Sequence, residues 1–209
     1  DYAVPVPTYQ MPDCKNAAGL WAEPGMDLLD IFIGCEGILG IITDARVRLT
    51  DQPDNIISQI AFFDTESDAI GFVDDMRRAA GEQIDMHVRM IEFLSENALN
   101  FIEHDLLEGK AYTGVYIEVA AELDALEPLL LALEDNNCAD DWLAETDRDR
   151  EEQMEFRHSL PDSVHAYLRR HDSEKLAADF VVPGTEFRQM LDDYHAAGKA
   201  FEREFPRDG

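Results

Sequence analysis

Strand-like and helix-like segments alternate along this chain from about residue 55 to residue 204, and that alternation limits the folds open to it. Short runs rich in β-branched and aromatic residues are typical of strands, and apolar residues three and four positions apart are typical of helices with one buried face. The predicted strands cover residues 55–63, 87–93, 112–120, 140–145 and 175–183, and the predicted helices cover 64–81, 95–109, 122–135, 149–160 and 184–204. The sequence therefore predicts an α+β fold, with an antiparallel-rich sheet and helices on one face.

Capping residues and apolar stripes set the expected ends and faces of these helices. Thr65, Ser95 and Thr185 can each cap a helix, and Gly81 and Pro161 can each end one. The stripes expected to point inward are Ile70, Phe72, Val73 and Met76, then Leu123, Leu126, Leu130 and Leu133, then Phe187, Met190, Leu191, Tyr194 and Phe201. The helices over 65–80, 122–135 and 184–203 are therefore expected on the same face of the sheet.

Three glycines interrupt the most hydrophobic segment, DLLDIFIGCEGILGIITDARVRL at residues 27–49. Gly34, Gly37 and Gly40 allow the backbone to turn tightly and to lie close to a ligand, because they have no Cβ atom. Their N–H groups could face an anionic group such as a pyrophosphate, and residues 40–49 are predicted to rejoin a sheet as a strand. A glycine-rich bend that packs against a neighbouring strand is the alternative that the spacing leaves open.

The first residues differ in character from the rest of the chain. Residues 1–26 are rich in proline and glycine and are predicted to form a loop, and Pro53 with Asn55 marks a turn. We therefore expect one domain over 1–52 and a second over 53–209. Both ends of the sequence are abrupt, so we expect a piece of a longer protein.

The charge of the chain restricts its partners. Its 17 basic and 45 acidic residues give a net charge of −28, which would repel nucleic acids and anionic lipid headgroups. This composition suits a salty cytoplasm, and an acidic protein of an ordinary mesophile is the alternative. No apolar run approaches the roughly 20 residues of a membrane span. We expect a cytoplasmic protein, with peripheral association with a membrane as the alternative.

Neither the cysteines nor the histidines are spaced as metal ligands. Cys14, Cys35 and Cys138 are far apart and include no CxxC pair, so we expect three reduced thiols. The six histidines show no HxH or HExxH spacing. No metal site is therefore predicted within the chain.

The segment around the glycines resembles the end of the flavin-binding domain of FAD-linked oxidases. This vanillyl-alcohol-oxidase-like group includes glycolate oxidase, D-lactate dehydrogenase and D-2-hydroxyglutarate dehydrogenase. The matched positions are Lys15, Asn16, Gly19, Gly34, Glu36, Gly37, Leu39, Gly40, Ile41, Ile42 and Thr43. Cys35 and Ile38 replace the serine and the threonine that are usual in the family, which removes hydroxyl contacts to the flavin.

The resemblance extends more loosely over nearly all of the chain. RMIEFLSENAL, MEFRHSLPDSV and ADFVVPGTEFRQML are similar to stretches of the family's substrate or cap domain. This implies a truncated, ferredoxin-like cap domain over 53–209 and the tail of an α+β flavin-binding domain over 1–52. FAD would be the cofactor of the intact protein, and the isolated piece would not retain it. The residues implied to contact FAD are Asn16, Gly34, Cys35, Glu36, Gly37, Gly40, Ile41 and Ile42.

Arg157 is the residue that the resemblance implies for substrate binding, because it matches an arginine on a helix of the cap domain. A planar guanidinium can hold a carboxylate through two hydrogen bonds. A surface arginine paired with Glu152 or Asp162 is the alternative. Lys175 lies near, but offset from, a substrate-binding lysine of some family members. His158 is expected to point about 100° away from Arg157 around the helix.

These features together predict a flavin-dependent oxidoreductase that oxidises a small 2-hydroxy acid of the glycolate, D-lactate or D-2-hydroxyglutarate type, with hydride transfer to FAD. The expected partners are the acid, the missing N-terminal flavin subdomain and an electron-acceptor protein. The base that removes the hydroxyl proton is expected outside this chain. A non-catalytic α+β cap-like subunit or interaction module is the alternative.

Overall fold

The structure of the chain, a computed structural model, describes residues 14, 19–82, 86–122, 126–175 and 179–204. The chain divides into one unit of Thr50–Lys175 and a second that combines Asp1–Leu49 with Leu176–Gly209. The division after Leu49 lies near the predicted border, but the C-terminal residues group with the N-terminal segment. The assignment of the chain to the tail of a flavin-binding domain and a cap domain stays a prediction.

A four-stranded antiparallel sheet forms the framework of the unit Thr50–Lys175. The strands are β1 (Ile56–Phe63), β2 (Met86–Leu94), β3 (Thr113–Ala121) and β4 (Asp140–Leu143), in the order β2-β3-β1-β4. Every pair is antiparallel, and the register of β2 is irregular between Val88 and Met90. The β-branched and aromatic residues of β1 and β3 suit the two central positions, where both faces are buried. The predicted α+β fold with an antiparallel sheet is confirmed.

One face of the sheet is covered by α1 (Glu66–Glu82) and α3 (Glu127–Asp135). The predicted cap of α1 is present, since Thr65 Oγ1 accepts a hydrogen bond from the N–H of Asp68 at 3.1 Å. The residues that fill this core include Phe63, Phe72, Met76, Val115, Ile117 and Leu129. Two of the helices predicted for one face therefore lie together on it.

The opposite face is also covered, by α2 (Glu96–Leu99), a 3-10 turn (Asp105–Leu107) and α4 (Asp147–Arg170). Its core is formed by Ile60, Phe62, Leu94, Leu99, Ile102, Tyr112, Tyr116 and Phe156. A capping box at Thr146 begins α4, and hydrogen bonds from Thr146 lower the pKa of the Asp149 carboxyl. The sequence prediction placed helices on one face, and the structure adds this second layer.

Two helices of this unit differ in length from the prediction. The segment predicted to end before Pro161 continues to Arg170 as α4. Proline removes only one helical N–H donor, and the hydrogen bonds on either side of Pro161 maintain the helix. The helix predicted over 95–109 is a single turn with the expected cap at Ser95, after which Ile102 enters the core.

The apolar stripe predicted for α3 is shifted by one position. Leu129 is buried, whereas Leu130 is 62% exposed. Residues 129–131 are all leucine, so the sequence alone could not fix which of them faces the sheet. Leu126 and Leu133 pack against the core as expected, and Leu123 lies outside the described residues.

In the other unit, the described residues form a 3-10 turn (Leu28–Phe32), a second one (Gly184–Glu186) and α5 (Phe187–Glu204). The sequence predicts strands over 40–49 and 175–183. Residues 40–49 and 179–183 pair with no strand among the residues that the structure describes, so the prediction is wrong for them. Apolar alternation alone does not make a strand, because its N–H and C=O groups need a neighbouring strand.

The last helix also differs from its prediction. Thr185 lies within the 3-10 turn that precedes α5 and does not act as its cap. Tyr194 and Phe201 were expected to point inward, but they are 64% and 63% exposed. The amphipathic pattern of α5 therefore predicts the helix correctly, while these two members of its apolar stripe remain accessible to solvent.

Candidate functional site

The glycine-rich segment begins directly after a capped turn. The carboxylate of Asp27 accepts a hydrogen bond from the N–H of Leu29 at 3.0 Å, and the carboxylate of Asp30 accepts one from the N–H of Asp27 at 2.9 Å. This reciprocal capping box fixes the 3-10 turn. The backbone therefore leaves the turn at Ile33 in a defined direction and passes into the glycines.

The glycine segment has left-handed backbone at several positions. The φ angles are 74° at Gly34, 50° at Glu36 and 80° at Gly37. Glycine adopts this conformation without steric cost, whereas a residue with a Cβ atom pays about 1 kcal/mol. A Cβ atom placed on Gly34, Gly37 or Gly40 would meet no atom within 4 Å. Among the residues that the structure describes, no neighbouring strand therefore packs closely against these glycines.

Free backbone donors and a cleft accompany these turns. Within the described part of the chain, no acceptor takes the N–H groups of Glu36, Gly37 or Gly40. Gly34, Cys35 and Glu36 line a cleft of about 1090 Å³, together with Trp21, Ile33, Ile38, Asp179 and Phe180. Free N–H groups at glycine-rich turns can bind an anionic group.

The residues implied to contact FAD are only partly brought together. Gly34, Cys35 and Glu36 lie at the cleft, and Cys35 is 4% exposed. Gly37 and Gly40 continue the same loop but do not line the cleft. The side chains of Ile41 and Ile42 are exposed. Asn16 lies outside the described residues. A role in flavin binding stays a prediction for all eight residues.

Arg157 lies on α4, next to the buried Phe156 that anchors the helix on the sheet. Its Nε–H donates a hydrogen bond to the carboxylate of Glu92 on β2. Its Nη1 lies 3.2 Å from the Nε2 atom of His158. The side chain of Arg157 is 28% exposed and that of Glu92 is 35% exposed. The ion pair thus bridges the helix and the sheet at a site that water can reach.

These contacts differ from the alternative considered for Arg157. Among the described residues its ion pair is with Glu92 on β2, and neither Glu152 nor Asp162 on its own helix is its partner. Glu152 pairs with Arg148 at 2.9 Å. The expectation that His158 points away from Arg157 is wrong. Although the two residues leave the helix in different directions, their side chains are long enough for Nη1 and Nε2 to lie next to each other.

A buried chain of hydrogen bonds lies beside this ion pair. The side-chain amide of Gln153 donates to the carbonyl of Trp142 at 2.6 Å, and its oxygen accepts from Ser58 at 2.6 Å. The Ser58 hydroxyl lies 3.0 Å from the hydroxyl of Tyr116, which donates to Glu118 at 3.1 Å. Burial raises the pKa of the Tyr116 phenol, so this hydroxyl keeps its proton at neutral pH.

Sequence reasoning did not identify Glu92, Ser58, Tyr116 or Gln153. One signal for Gln153 was available, because it lies four residues before Arg157 and therefore on the same helix face. Ser58 is a polar residue inside an apolar strand. Glu92 and Tyr116 face each other only once the register of β2 and β3 is known.

Lys175 and Asp179 belong to different units of the chain. Lys175 is exposed and ends the unit Thr50–Lys175, and substrate binding by it stays a prediction. Asp179 is part of the cleft beside the glycines.

A second cleft, of about 940 Å³, lies at one end of the sheet in the unit Thr50–Lys175. Two of its carboxylates already have partners within the unit. The side chain of Glu122 accepts a hydrogen bond from Asn55 at 2.8 Å, and Asp147 pairs with Arg150. Arg157 lines neither this cleft nor the one beside the glycines.

Two kinds of feature are absent from the described residues. No three histidine, cysteine, aspartate or glutamate side chains are grouped there as a metal site. None of the helices described has the length and apolar character that crossing a membrane requires.

Comparison with known proteins gives two matches of interest, and no family model matches the chain. A protein named probable D-lactate dehydrogenase, mitochondrial, from Danio rerio is 25% identical over 173 residues, which cover 80% of this chain and 33% of that protein. The similarity to this D-lactate dehydrogenase is therefore weak in identity but extends over most of the chain. The mitochondrial D-lactate dehydrogenase (cytochrome) 1 of Saccharomyces cerevisiae is 30% identical over 81 residues, 39% of this chain and 13% of the relative.

The chain spans about a third of the length of the first of these D-lactate dehydrogenases and less of the second. Both relatives are named as mitochondrial proteins. The cytoplasmic location expected from the sequence therefore stays a prediction.

Proposed function

We propose that this chain provides the substrate-binding part, and a portion of the flavin-binding part, of an FAD-dependent oxidoreductase that acts on small 2-hydroxy acids. The observation that carries the proposal is the similarity to a D-lactate dehydrogenase over 80% of the chain. The glycine loop and Arg157 support it, because the loop has free backbone donors that would suit an anionic cofactor group and Arg157 is a cation that would suit a substrate carboxylate.

The residues of the glycine loop fit a cofactor that is held through the backbone. The N–H groups of Glu36 and Gly37 have no acceptor among the described residues, and no Cβ atom narrows the space beside Gly34 or Gly37. Backbone donors do not depend on the side chain, so Cys35 and Ile38 are compatible with binding despite the loss of two hydroxyl groups. When bound, FAD would accept a hydride from the α-carbon of the substrate.

Arg157 would bind the carboxylate of the acid. Its Nε is held by Glu92, and its terminal nitrogens lie at a partly exposed position where a small anion can reach them. Arginine binds carboxylates through parallel hydrogen bonds, which would fix the orientation of the α-carbon. The ion pair that links Arg157 on α4 to Glu92 on β2 supports this role.

An electron acceptor with a basic surface fits the charge of the chain. The name of the yeast relative specifies a cytochrome. A net charge of −28 would attract a basic electron-transfer protein and raise the rate of encounter at low ionic strength. We therefore include such a protein among the proposed partners.

Turnover by the full-length protein tests the proposed function. Purified protein is assayed with glycolate, D-lactate and D-2-hydroxyglutarate and a dye as electron acceptor, and its flavin content is measured by absorbance. We expect bound flavin to be reduced by at least one acid. Bound flavin that none of the acids reduces would refute this substrate class, and a protein without flavin would favour the non-catalytic module.

A further inference from the structure

The contact between Arg157 and Glu92 leaves a specific part of the guanidinium free. Glu92 takes the Nε–H, and His158 lies beside Nη1 at 3.2 Å. Among the residues that the structure describes, no partner is recorded for Nη2. A carboxylate that approaches from the solvent side therefore meets the terminal nitrogens and leaves the bond to Glu92 intact.

Both members of this ion pair are attached to rigid elements. Glu92 lies in β2 directly opposite Tyr116 of the central strand β3, where the ladder fixes its backbone. The helix that carries Arg157 is fixed one turn earlier by Gln153, which is completely buried and binds both Ser58 and Trp142. The direction of the free guanidinium edge is therefore set by the fold.

The charges around this site cancel before any substrate arrives. Arg157 pairs with Glu92, and Arg89 pairs with Glu118 at 3.4 Å, so two positive and two negative charges lie on this face of the sheet. Both Glu118 and Arg157 act electrostatically on the same phenol, that of Tyr116. One incoming carboxylate can form hydrogen bonds with the free edge of Arg157, whereas a second carboxylate on the same molecule would lie near the negative charge of Glu92 with Arg157 already engaged.

We propose that Glu92 is the positioning residue for Arg157, and that its charge restricts the site to 2-hydroxy acids with a single carboxylate. This inference rests on the proposed function. Glu92 acts through Arg157, because its carboxylate accepts the hydrogen bond from Nε and so fixes the guanidinium. The negative charge of Glu92 also repels the second carboxylate of a dianionic substrate. Of the three acids left open by the sequence, it selects glycolate and D-lactate over D-2-hydroxyglutarate.

Two substitutions separate the two roles of Glu92 in the flavin-loaded, full-length protein. Glu92→Ala removes both the hydrogen-bond acceptor for Arg157 and the negative charge. We expect kcat/KM for the preferred monocarboxylate to fall about tenfold, and kcat to fall as well. Glu92→Gln keeps an oxygen that can accept from Nε, so we expect it to recover activity to within about threefold of the wild type. Because the charge is gone, its preference for the monocarboxylate over D-2-hydroxyglutarate should narrow by about fivefold or more.

Glu152→Gln is the matched control, because it removes an equivalent charge from the Arg148 pair on the same helix. It should leave both kcat/KM and the preference unchanged. Thermal unfolding of each variant checks the fold, and if Glu92→Ala does not fold, the change in preference of Glu92→Gln decides the question.

The outcomes separate this inference from the function beneath it. If Arg157→Ala impairs turnover but both Glu92 variants match the wild type in rate and preference, the function stands and the role of Glu92 is wrong. A wild-type protein that prefers D-2-hydroxyglutarate also refutes the charge restriction while leaving the function intact. Flavin-loaded protein that oxidises none of the acids refutes both.

Discussion

Arg157 shows how a single residue can be placed by partners that are distant in sequence. Glu92 lies 65 positions earlier in the chain, yet it holds the Nε atom of Arg157. The buried Phe156 beside it keeps the helix on the sheet. The bond to Glu92 restricts the rotamers of Arg157 relative to a surface arginine without a partner, which reduces the entropy lost when a ligand binds.

The first prediction is that Arg157→Ala impairs turnover without loss of flavin. In the full-length protein, removal of the guanidinium leaves the substrate carboxylate without its charged partner. We expect this to raise the activation free energy by roughly 2–4 kcal/mol, which lowers kcat/KM by about 30- to 1000-fold. Arg157→Lys should recover only part of this, because an ammonium group cannot form the same paired hydrogen bonds. Steady-state kinetics with flavin occupancy measured by absorbance checks the result. A loss below about threefold would show that Arg157 does not bind substrate.

The second prediction concerns the left-handed turn at Gly37. Gly37→Ala forces a Cβ atom into a conformation with φ near 80°, so it should lower the free energy of unfolding of its unit by about 1 kcal/mol. Gly198→Ala is the matched control, since Gly198 lies within α5 and also has open space around it. That change should stabilise the protein by up to about 1 kcal/mol through helix propensity.

Chemical denaturation of the two glycine variants and the wild type measures both effects. If Gly37→Ala stabilises the protein as much as Gly198→Ala does, the loop does not have the conformation described.

At the scale of elements, α4 is the helix that joins the candidate substrate site to the sheet. It contributes Phe156 to the core, Gln153 to the buried hydrogen-bond chain and Arg157 to the surface. These three positions lie at spacings of three, one and four residues, so they occupy one side of the helix. Loss of the anchors should therefore displace Arg157 as well as destabilise the fold.

The third prediction is that Gln153→Ala is strongly destabilising. It removes one donor to the carbonyl of Trp142 and the acceptor of the Ser58 hydroxyl, and it opens a cavity under α4, so we expect a loss of about 2–4 kcal/mol in the free energy of unfolding. Gln189→Ala is the control, because Gln189 is exposed and bonds only along its own helix to Asp193. It should change stability by less than about 0.5 kcal/mol. Equal effects of the two variants in urea denaturation would contradict the buried network.

The sequence predicted the elements of the sheet unit well because their signals are local. Strands β1 to β4, and the caps at Thr65 and Ser95, follow from alternation and from capping chemistry. The pairing of Arg157 with Glu92 could not be predicted, since it depends on where α4 crosses β2. Residues 40–49 have the alternation of a strand but no neighbour among the described residues, and pairing is a property of the fold.

At the scale of the whole molecule, the excess of acidic residues is the dominant feature. Five ion pairs join described residues, and each contains one arginine and one carboxylate. The chain has 45 acidic residues, many more than these pairs neutralise. Most carboxylates therefore repel one another across the surface. Such repulsion destabilises a folded chain at low ionic strength and weakens as salt screens it.

The fourth prediction is that sodium chloride stabilises the protein. Raising its concentration from about 0.02 M to about 1 M shortens the screening length from roughly 20 Å to 3 Å, and we expect Tm to rise by about 5–10 °C. Differential scanning calorimetry over this range, with sucrose as an uncharged comparison, measures the effect. A Tm that does not respond to salt would mean that the surface charges are neutralised locally.

The two outer strands of the sheet have a consequence for the behaviour of concentrated protein. Strand β2 is irregular between Val88 and Met90, and β4 is only four residues long and begins with Asp140 and Asp141. One edge strand is distorted, and the other is short and negatively charged. Both therefore offer few well-placed backbone N–H and C=O groups to a strand of another molecule. The sheet is thereby protected against growing into fibrils, even where a neighbouring molecule approaches in register.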